Sequence, residues 1–363
     1  MRLALLGSVL APLAALVAST PLEPRSALTP TIASSVALNP AGGGTYPRLA
    51  TVNGYLLSAF TYFSGSTHIL TVTKSTDNGN TWTSFGTIAE GTGDLDNTFL
   101  IELANGDVVA TFRNHDLNSS GDYTYYRITA CISTDGGETW TYLSQVDERA
   151  ASGVNGLWEP WSRLSSSGAL QVYYSSENSA SDQDILMRSS TDGGSTWSAA
   201  ITVAGATTTG RDGMPSCTNF NDGSTVLMCV FETTEGSSVA GTFTVKRVIS
   251  TDDGSTWGER EQVYVPTGTD NNAGAPFVTT TTGGALVVSF MTDEDTSEHA
   301  WSVWNGANMK IITSNSVDPE VWGQKTTVFG VQANWPSLHA LTDGSVLGCV
   351  DYSGAKCSRI TFS

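Results

Sequence analysis

Basic side chains are scarce in this chain of 363 residues. It has 17 Lys and Arg against 35 Asp and Glu, which gives a formal net charge of −18 at pH 7. A surface of this sign repels phosphate backbones, anionic lipid head groups and polyanionic polymers. We therefore expect no nucleic-acid partner, no membrane partner and no acidic substrate, whereas a neutral ligand suits the charge.

Residues that hold metals or activate nucleophiles are also few. The histidines are four scattered residues without the spacing of a zinc site, namely His68, His115, His299 and His339. The sequence contains neither the G-x-S-x-G turn of a serine hydrolase nor a glycine-rich phosphate loop. We expect no metal and no cofactor.

Long apolar runs are absent beyond the N-terminus. Residues 1–19 begin with Arg2, continue with LALLGSVLAPLAALVA and end in small residues, which is the pattern of a secretory signal peptide. The run is short for a membrane anchor, and no stop-transfer segment follows it. The sequence predicts a secreted protein with a disordered leader at residues 20–30. Asn118 then begins an N-glycosylation sequon in a polar loop.

Five cysteines in an oxidising compartment favour disulfides. Two pairs flank short turns almost symmetrically, and each is placed for a bridge across two strands: Cys217 with Cys229, and Cys349 with Cys357. Cys131 is then left over, and we expect it to be buried rather than catalytic.

One octapeptide occurs four times at intervals of about 55 to 60 residues. The copies read STDNGNTW from Ser75, STDGGETW from Ser133, STDGGSTW from Ser190 and STDDGSTW from Ser250. Asp and Gly are the residues of a tight turn, and the flanking Ser/Thr and Trp suit the two strands that such a turn joins. The interval is the length of one four-stranded propeller blade. A degenerate fifth copy begins at Ser316.

A second repeat gives the number of blades. Six segments share a strand, a Gly-containing turn and an apolar strand, and five of them begin with x-Pro, where a missing N–H breaks no ladder bond. They start at Tyr46, Asn97, Glu159, Met214, Ala275 and Trp335. The last blade has too little chain for four strands, so we expect residues 31–39 to supply its outer strand. The prediction is an all-β, six-bladed β-propeller of four-stranded blades over residues 31–363.

This layout places the octapeptides and the Gly turns on one face of the propeller. The other face is rich in carboxylates, amides and aromatic rings, which is the composition of a carbohydrate site. Two carboxylates suffice for glycoside hydrolysis, one as proton donor and one as nucleophile or base. Our candidate ligand-binding residues on this face are Arg48, Asn97, Trp158, Arg211, Asp212, Trp335 and Tyr352.

The octapeptide resembles the Asp-box of sialidase-like propellers, where it is a structural turn far from the active site. Three further stretches resemble glycoside hydrolase family 93: NGLWEP around Glu159, GRDGMPS from Gly210 and VFET around Glu232. That resemblance implies a secreted fungal exo-arabinanase that releases arabinobiose from linear α-1,5-L-arabinan with retention of configuration. It implies Glu159 and Glu232 as the catalytic pair, and we assign Glu232 as nucleophile and Glu159 as acid/base. We expect a monomer.

Two other functions stay open at this point. A sialidase would share the octapeptides, but the strand at Tyr46-Pro47-Arg48 has no Arg before an I-P pair, and the acidic chain disfavours an anionic sugar. A non-catalytic carbohydrate-binding propeller would keep the repeats and lack a close carboxylate pair. The separation of Glu159 and Glu232 distinguishes hydrolysis from binding alone.

Overall fold

The structure is a computed structural model that describes residues 28–220, 225–236, 241–268, 270–296, 306–314, 322–323 and 325–363. Within these residues the chain forms only strands, turns and loops, and no helix long and apolar enough to cross a membrane occurs among them. The predicted signal peptide and most of the degenerate fifth octapeptide lie outside the described residues. The sheets are six, and all are antiparallel.

Five blades are formed by four consecutive strands. Blade 1 has β3 (Thr45–Val52), β4 (Tyr55–Ser64), β5 (Thr67–Ser75) and β6 (Thr83–Gly91). Blade 2 has β7 (Asp94–Glu102), β8 (Val108–Leu117), β9 (Tyr123–Ser133) and β10 (Thr141–Ala150). Blade 3 has β11 (Leu157–Leu164), β12 (Leu170–Ser179), β13 (Asp182–Ser190) and β14 (Ile201–Ala204). Blade 4 has β15 (Gly213–Asn219), β16 (Leu227–Thr233), β17 (Thr244–Ser250) and β18 (Gly258–Tyr264). Blade 5 has β19 (Ala273–Thr280), β20 (Leu286–Thr292), β21 (Asn308–Ser314) and β22 (Thr326–Phe329).

The two ends of the chain close the sixth blade. Its inner strands are β23 (Asn334–Ala340), β24 (Val346–Asp351) and β25 (Ala355–Phe362). The N-terminal strands β1 (Pro30–Ile32) and β2 (Val36–Ala37) pair with β25 as its outer partners. The prediction that the N-terminal segment supplies this strand is confirmed, with β1 beginning at Pro30. The six-bladed propeller is therefore as expected, and the closure covers a sheet edge.

The second strand of each blade provides the packing between blades. An apolar residue recurs at one position of this strand, and all six side chains are fully or almost fully buried: Phe60, Phe112, Tyr174, Phe231, Phe290 and Val350. Burying one large apolar side chain stabilises a fold by about 1.5–3 kcal/mol. The repeat therefore specifies the contacts that hold neighbouring blades together.

The four octapeptides join the third and fourth strands of blades 1–4. In blade 1, the carboxylate of Asp77 accepts the N–H of Thr81 at 2.9 Å, the Thr81 hydroxyl at 2.6 Å and the Ser75 hydroxyl at 2.8 Å. These hydrogen bonds, those from Thr81 first, lower the pKa of Asp77 to about 2. The indole N–H of Trp82 closes the turn on the carbonyl of Gly79. The carboxylate is thus engaged by its own turn, as a structural role requires.

Both expected cysteine pairs are bonded in the structure. Cys217 and Cys229 face each other across β15 and β16, and Cys349 and Cys357 do so across β24 and β25. Cys131 is buried and free. Asn118 lies exposed in the turn after β8, where its side-chain oxygen accepts the N–H of Ser120, and its glycosylation stays a prediction.

Candidate active site

Each inner strand carries the same bulge at the same position. One residue there has a positive φ of 44° to 58°, which residues other than glycine adopt rarely. The pairing with the second strand skips at this point in all six blades. A bulge re-aims a side chain and is common beside active sites. These residues, which we call the axial ring, are Tyr46, Asn97, Glu159, Met214, Ala275 and Trp335.

The axial ring divides into an apolar part and a polar part. Tyr46 stacks on Trp335 with ring centroids 4.4 Å apart, and these two belong to one buried cluster with Met214 and Ala275. The polar members, Asn97 and Glu159, line a small open pocket. The pocket is walled by residues of blades 1 to 5, namely Arg48, Asn97, Glu159, Pro160, Trp161, Met214, Pro215, Pro276 and Phe277. It therefore lies on the propeller axis.

Glu159 lies near the start of β11, and its carboxylate accepts hydrogen bonds from its own blade and from blade 4. Its Oε2 accepts the Ser175 hydroxyl at 2.9 Å and the backbone N–H of Met214 at 3.3 Å. Burial raises the pKa of Glu159 above its ordinary value. The hydrogen bond from Ser175 and the charge of Arg113 oppose that rise because both favour the ionised carboxylate.

Glu232 lies near the end of β16, opposite Gly213 of β15. Its Oε2 accepts the backbone N–H of Ala275 at 2.6 Å. A Cβ on Gly213 would lie 2.9 Å from Gln183 Nε2 and 3.3 Å from Glu232 Oε1, so a larger residue here would displace side chains beside Glu232. Burial, and after it the charge of Glu159, raises the pKa of Glu232 to about 8. Glu232 is therefore the carboxyl that keeps a proton near neutral pH.

The two glutamates form one coupled site on neighbouring blades. Both hydrogen-bond to a backbone N–H of the axial ring in the following blade, Glu159 to Met214 and Glu232 to Ala275. Two interacting carboxyls that are shielded from water do not both ionise readily, so the pair retains a proton near neutral pH. The better-stabilised anion is Glu159, since it has one more hydrogen bond and the nearby cation Arg113.

Arg113 of β8 supplies positive charge beside the site. Its Nη2 lies 3.1 Å from Asp94 Oδ1 and 3.2 Å from Asp96 Oδ2, and all three side chains are largely buried. Its guanidinium carbon is 5.7 Å from the centre of the Tyr46 ring. Burial alone would raise the pKa of Asp94, but Arg113 keeps it below its ordinary value. Asp94, Asp96 and Arg113 thus form a buried ion cluster behind the axial ring.

Three of the seven predicted ligand-binding residues lie at or beside the glutamates. Arg48 is buried in the pocket, where Nη1 donates to the carbonyls of Pro47 and Trp335. Asn97 is also in the pocket, and its Nδ2 has no hydrogen-bond partner among the described residues. Arg211 binds Glu177 at 2.7 Å, and its charge lowers the pKa of both catalytic candidates.

Asp212 is not available to a ligand, contrary to our prediction. Its side chain is 0% exposed, and it forms a two-pronged ion pair with Arg260 at 2.7 and 2.9 Å. A buried carboxylate needs such a partner, and Arg260 comes from β18, some 48 residues later. Arg211 and Asp212 are adjacent in the sequence, but each pairs with a different residue, and the sequence alone does not indicate this.

The three aromatic residues that we predicted to bind the ligand do not line the pocket. Trp158 packs against His115 and Tyr126, with ring centroids 5.1 and 5.7 Å away, and does not line the pocket. Tyr352 packs on Phe329 at 5.5 Å and is likewise outside the pocket wall. Trp335 belongs to the axial ring through its stack on Tyr46. The structure therefore gives Trp158 and Tyr352 packing roles.

Sequence reasoning missed Tyr46 and Arg260. Tyr46 had a signal, because aligning the six repeated segments puts it in one column with Glu159. Arg260 had none, since its partner Asp212 lies 48 residues earlier in the chain. Within the described residues, no group of three or more His, Cys, Asp and Glu side chains is arranged to hold a metal ion.

Fold and site together define a class, a six-bladed propeller with a coupled pair of partly buried carboxyls beside its axis. A scan against protein-family models and a search of curated proteins each find no match. Solved structures do match. The chain is similar to the GH93 α-L-arabinofuranosidase of Fusarium graminearum in complex with arabinobiose, with a TM-score of 0.71, 20% identity and coverage of 92% of this chain and 98% of that one.

Two further solved structures are similar to this chain. The Penicillium chrysogenum α-L-arabinanase complexed with arabinobiose matches with a TM-score of 0.69, 18% identity and coverage of 91% of this chain and 98% of that one. A sialidase of Streptococcus pneumoniae matches less well, with a TM-score of 0.56, 12% identity and coverage of 88% and 68%. At these identities the comparisons show a shared propeller fold.

Proposed function

We propose that this protein is a secreted, retaining glycoside hydrolase that releases arabinobiose from the ends of linear α-1,5-L-arabinan. One observation carries the proposal: Glu159 and Glu232 lie partly buried on neighbouring blades beside the propeller axis, and both have raised pKa values, that of Glu232 reaching about 8. Environments that separate the protonation states of two carboxyls suit them to acid and nucleophile roles.

In the first half of the reaction, the Glu159 carboxylate attacks the anomeric carbon of the second sugar from the non-reducing end, whose glycosidic bond joins the terminal disaccharide to the rest of the chain. The bond from that carbon to the leaving oxygen breaks, and the Glu232 proton passes to this oxygen. A glycosyl ester on Glu159 results, and the shortened arabinan departs. Retaining enzymes need carboxyls about 5–5.5 Å apart for this step. Glu159 and Glu232 lie near enough that the charge of Glu159 raises the pKa of Glu232.

In the second half, a water molecule enters where the leaving chain was. Glu232, now ionised, takes one proton from the water as its oxygen attacks the anomeric carbon. The bond to Glu159 breaks, and both carboxyls return to their starting states. Two displacements at one carbon restore its configuration, so the product has the anomeric form of the substrate.

These roles reverse our expectation from the sequence, in which Glu232 was the nucleophile. The reversal rests on the surroundings of each carboxyl. Glu159 accepts two hydrogen bonds and lies near Arg113, which favours the anion, whereas Glu232 accepts one from Ala275 and feels the charge of Glu159. A group that starts protonated is the donor.

The substrate class follows from likeness and from the pocket lining. Both fungal propellers in the comparison were solved with arabinobiose, a neutral sugar. The pocket on the axis is lined by residues of five blades, among them Arg48, Asn97 and Glu159, which offer hydrogen-bonding groups to a sugar. The net charge of −18 also favours a neutral polymer.

Sialidase activity is disfavoured by the arginines near the pocket. A sialidase binds its substrate's carboxylate with three convergent arginines, but Arg113 and Arg211 already have carboxylate partners among the described residues. Arg48 donates to backbone carbonyls. No trio of free guanidinium groups faces one point in the described part of the chain.

We predict a bell-shaped dependence of kcat/KM on pH. Activity requires Glu159 ionised and Glu232 protonated, so it rises as pH climbs through the raised pKa of Glu159. It falls again as Glu232 loses its proton near pH 8. Initial rates on linear arabinan between pH 4 and about 10 measure both limbs, and a rate that keeps rising beyond the upper limb would contradict Glu232 as the acid.

The proposed function is tested by a product profile. Purified protein is incubated with linear arabinan, and products are separated by chromatography over time, with sialyllactose as the control substrate. Arabinobiose from the first time point, with no ladder of longer fragments and with the retained anomer by NMR, is the expected result. A ladder would mean an endo-acting enzyme, and silence on both substrates would favour a binding protein.

A further inference from the structure

We propose that Arg260, on the outermost strand of blade 4, is a positioning residue that holds both catalytic carboxyls through a two-pronged ion pair with buried Asp212. This inference rests on the proposed function for its kinetic consequences. Arg260 itself does not line the pocket. It acts through the two chain segments that carry or contact the glutamates.

The first segment is Asp212-Gly213-Met214. The Met214 N–H is one of the donors to Glu159, and Gly213 is the strand partner of Glu232. Met214 has a φ of 53°, a conformation that persists only where its surroundings fix it. Gln183 holds the backbone of Asp212 with bonds of 2.8 and 2.9 Å.

Arg260 fixes the same segment through its side chain. The Asp212 carboxylate accepts Nη1 at 2.7 Å and Nη2 at 2.9 Å. With both oxygens held, the carboxylate can neither rotate nor withdraw, so the chain leading into Met214 has one conformation. The ion pair between Arg260 and Asp212 therefore fixes the position from which the Met214 N–H donates to Glu159.

The second segment follows Glu232. Nη2 of Arg260 also lies 3.4 Å from the hydroxyl of Thr233, and Nε donates to Glu235 at 2.7 Å. One guanidinium thus joins the residues before Met214 to the residues after Glu232. Because its plane also lies 4.7 Å from the centre of the Phe231 ring, the group is fixed by stacking as well.

Only arginine can make this set of contacts. A lysine would keep the positive charge, but its ammonium group is compact and lacks the planar fork of a guanidinium. It therefore cannot bind both oxygens of Asp212, contact the Thr233 hydroxyl and stack on the Phe231 ring at the same time. We therefore expect Arg260→Lys to keep the fold and to loosen the geometry. Misplacing a catalytic group by about 1 Å can cost about 100-fold in rate, so kcat should fall by roughly 10- to 100-fold with KM little changed.

The test compares Arg260→Lys with Arg163→Lys, a matched control. Arg163 is a buried arginine in the same kind of cluster, bound to Gln171 and Asp253 beside an octapeptide turn, and within the described residues it has no hydrogen bond or ion pair to the segments that hold Glu159 and Glu232. Both variants are assayed on arabinan, and their glutamate carboxyls are titrated by carbon NMR with Glu159→Gln for assignment. Loosening the Met214 N–H should raise the pKa of Glu159 in Arg260→Lys alone.

The two readouts separate the possible failures. Loss of kcat together with a shifted Glu159 titration, in Arg260→Lys but not in Arg163→Lys, is the expected result. An unchanged titration, or an equal loss in the control, overturns the positioning role. If the wild-type protein does not cleave arabinan, the proposed function fails, and the titration still decides whether Arg260 positions the pair.

Discussion

Glu232→Gln and Glu159→Gln are both expected to abolish cleavage of arabinan, but for different reasons. Glutamine keeps the shape of Glu232 and the bond from the Ala275 N–H, yet it cannot give a proton to the leaving oxygen. General acid catalysis contributes about 10²- to 10⁴-fold, so kcat should fall by that amount. In Glu159→Gln, the glutamine cannot form the ester intermediate, and kcat should fall by at least as much.

A substrate with a good leaving group separates the two variants. A dinitrophenyl glycoside of the same sugar needs no proton to depart, so Glu232→Gln should release a burst of dinitrophenol and then stall. The stall arises because no base activates water, and azide should relieve it. Glu159→Gln should give no burst. A burst in Glu159→Gln instead would restore the roles expected from the sequence, and near-normal arabinan cleavage would remove that residue from the mechanism.

The propeller could be predicted because its sequence repeats. Four octapeptides and six strand-turn-strand segments, five of which begin with x-Pro, fix the number and phase of the blades. The short last segment implies closure by the N-terminal strand. Each of these features is local, since turn residues and apolar strands are specified within a few positions. Glu159 stands in the same repeat column as Tyr46 and Trp335, which is why the face it occupies was also predictable.

The parts that could not be predicted depend on contacts between distant loops. Asp212 follows Arg211 directly, yet one is sealed in an ion pair with Arg260 and the other reaches Glu177. The protonation roles of the glutamates depend on the same kind of contact. Ser175, Met214 and Ala275 come from different strands, and nothing in the flanking motifs states which carboxyl receives more hydrogen bonds.

Arg113→Met is expected to lower both stability and activity. The substitution leaves the carboxyls of Asp94 and Asp96 buried without their cation, and breaking a buried ion pair in this way costs about 3–5 kcal/mol. For a chain of this size, that loss corresponds to a fall of about 5 °C in Tm. Thermal unfolding followed by circular dichroism measures it, provided that the transition is reversible.

The effect on activity has a definite sign. Arg113 lowers the pKa of Glu159, so its removal raises that pKa, and the acidic limb of the pH profile should move to higher pH. Arg188→Met is the control, because Arg188 binds Asp147 at 3.2 Å in a similarly sheltered pair away from the pocket. The control should lose stability and keep the wild-type profile. If the profile of Arg113→Met also stays in place, Arg113 serves the fold alone, and the ionised state of Glu159 depends on Ser175 and the Met214 N–H.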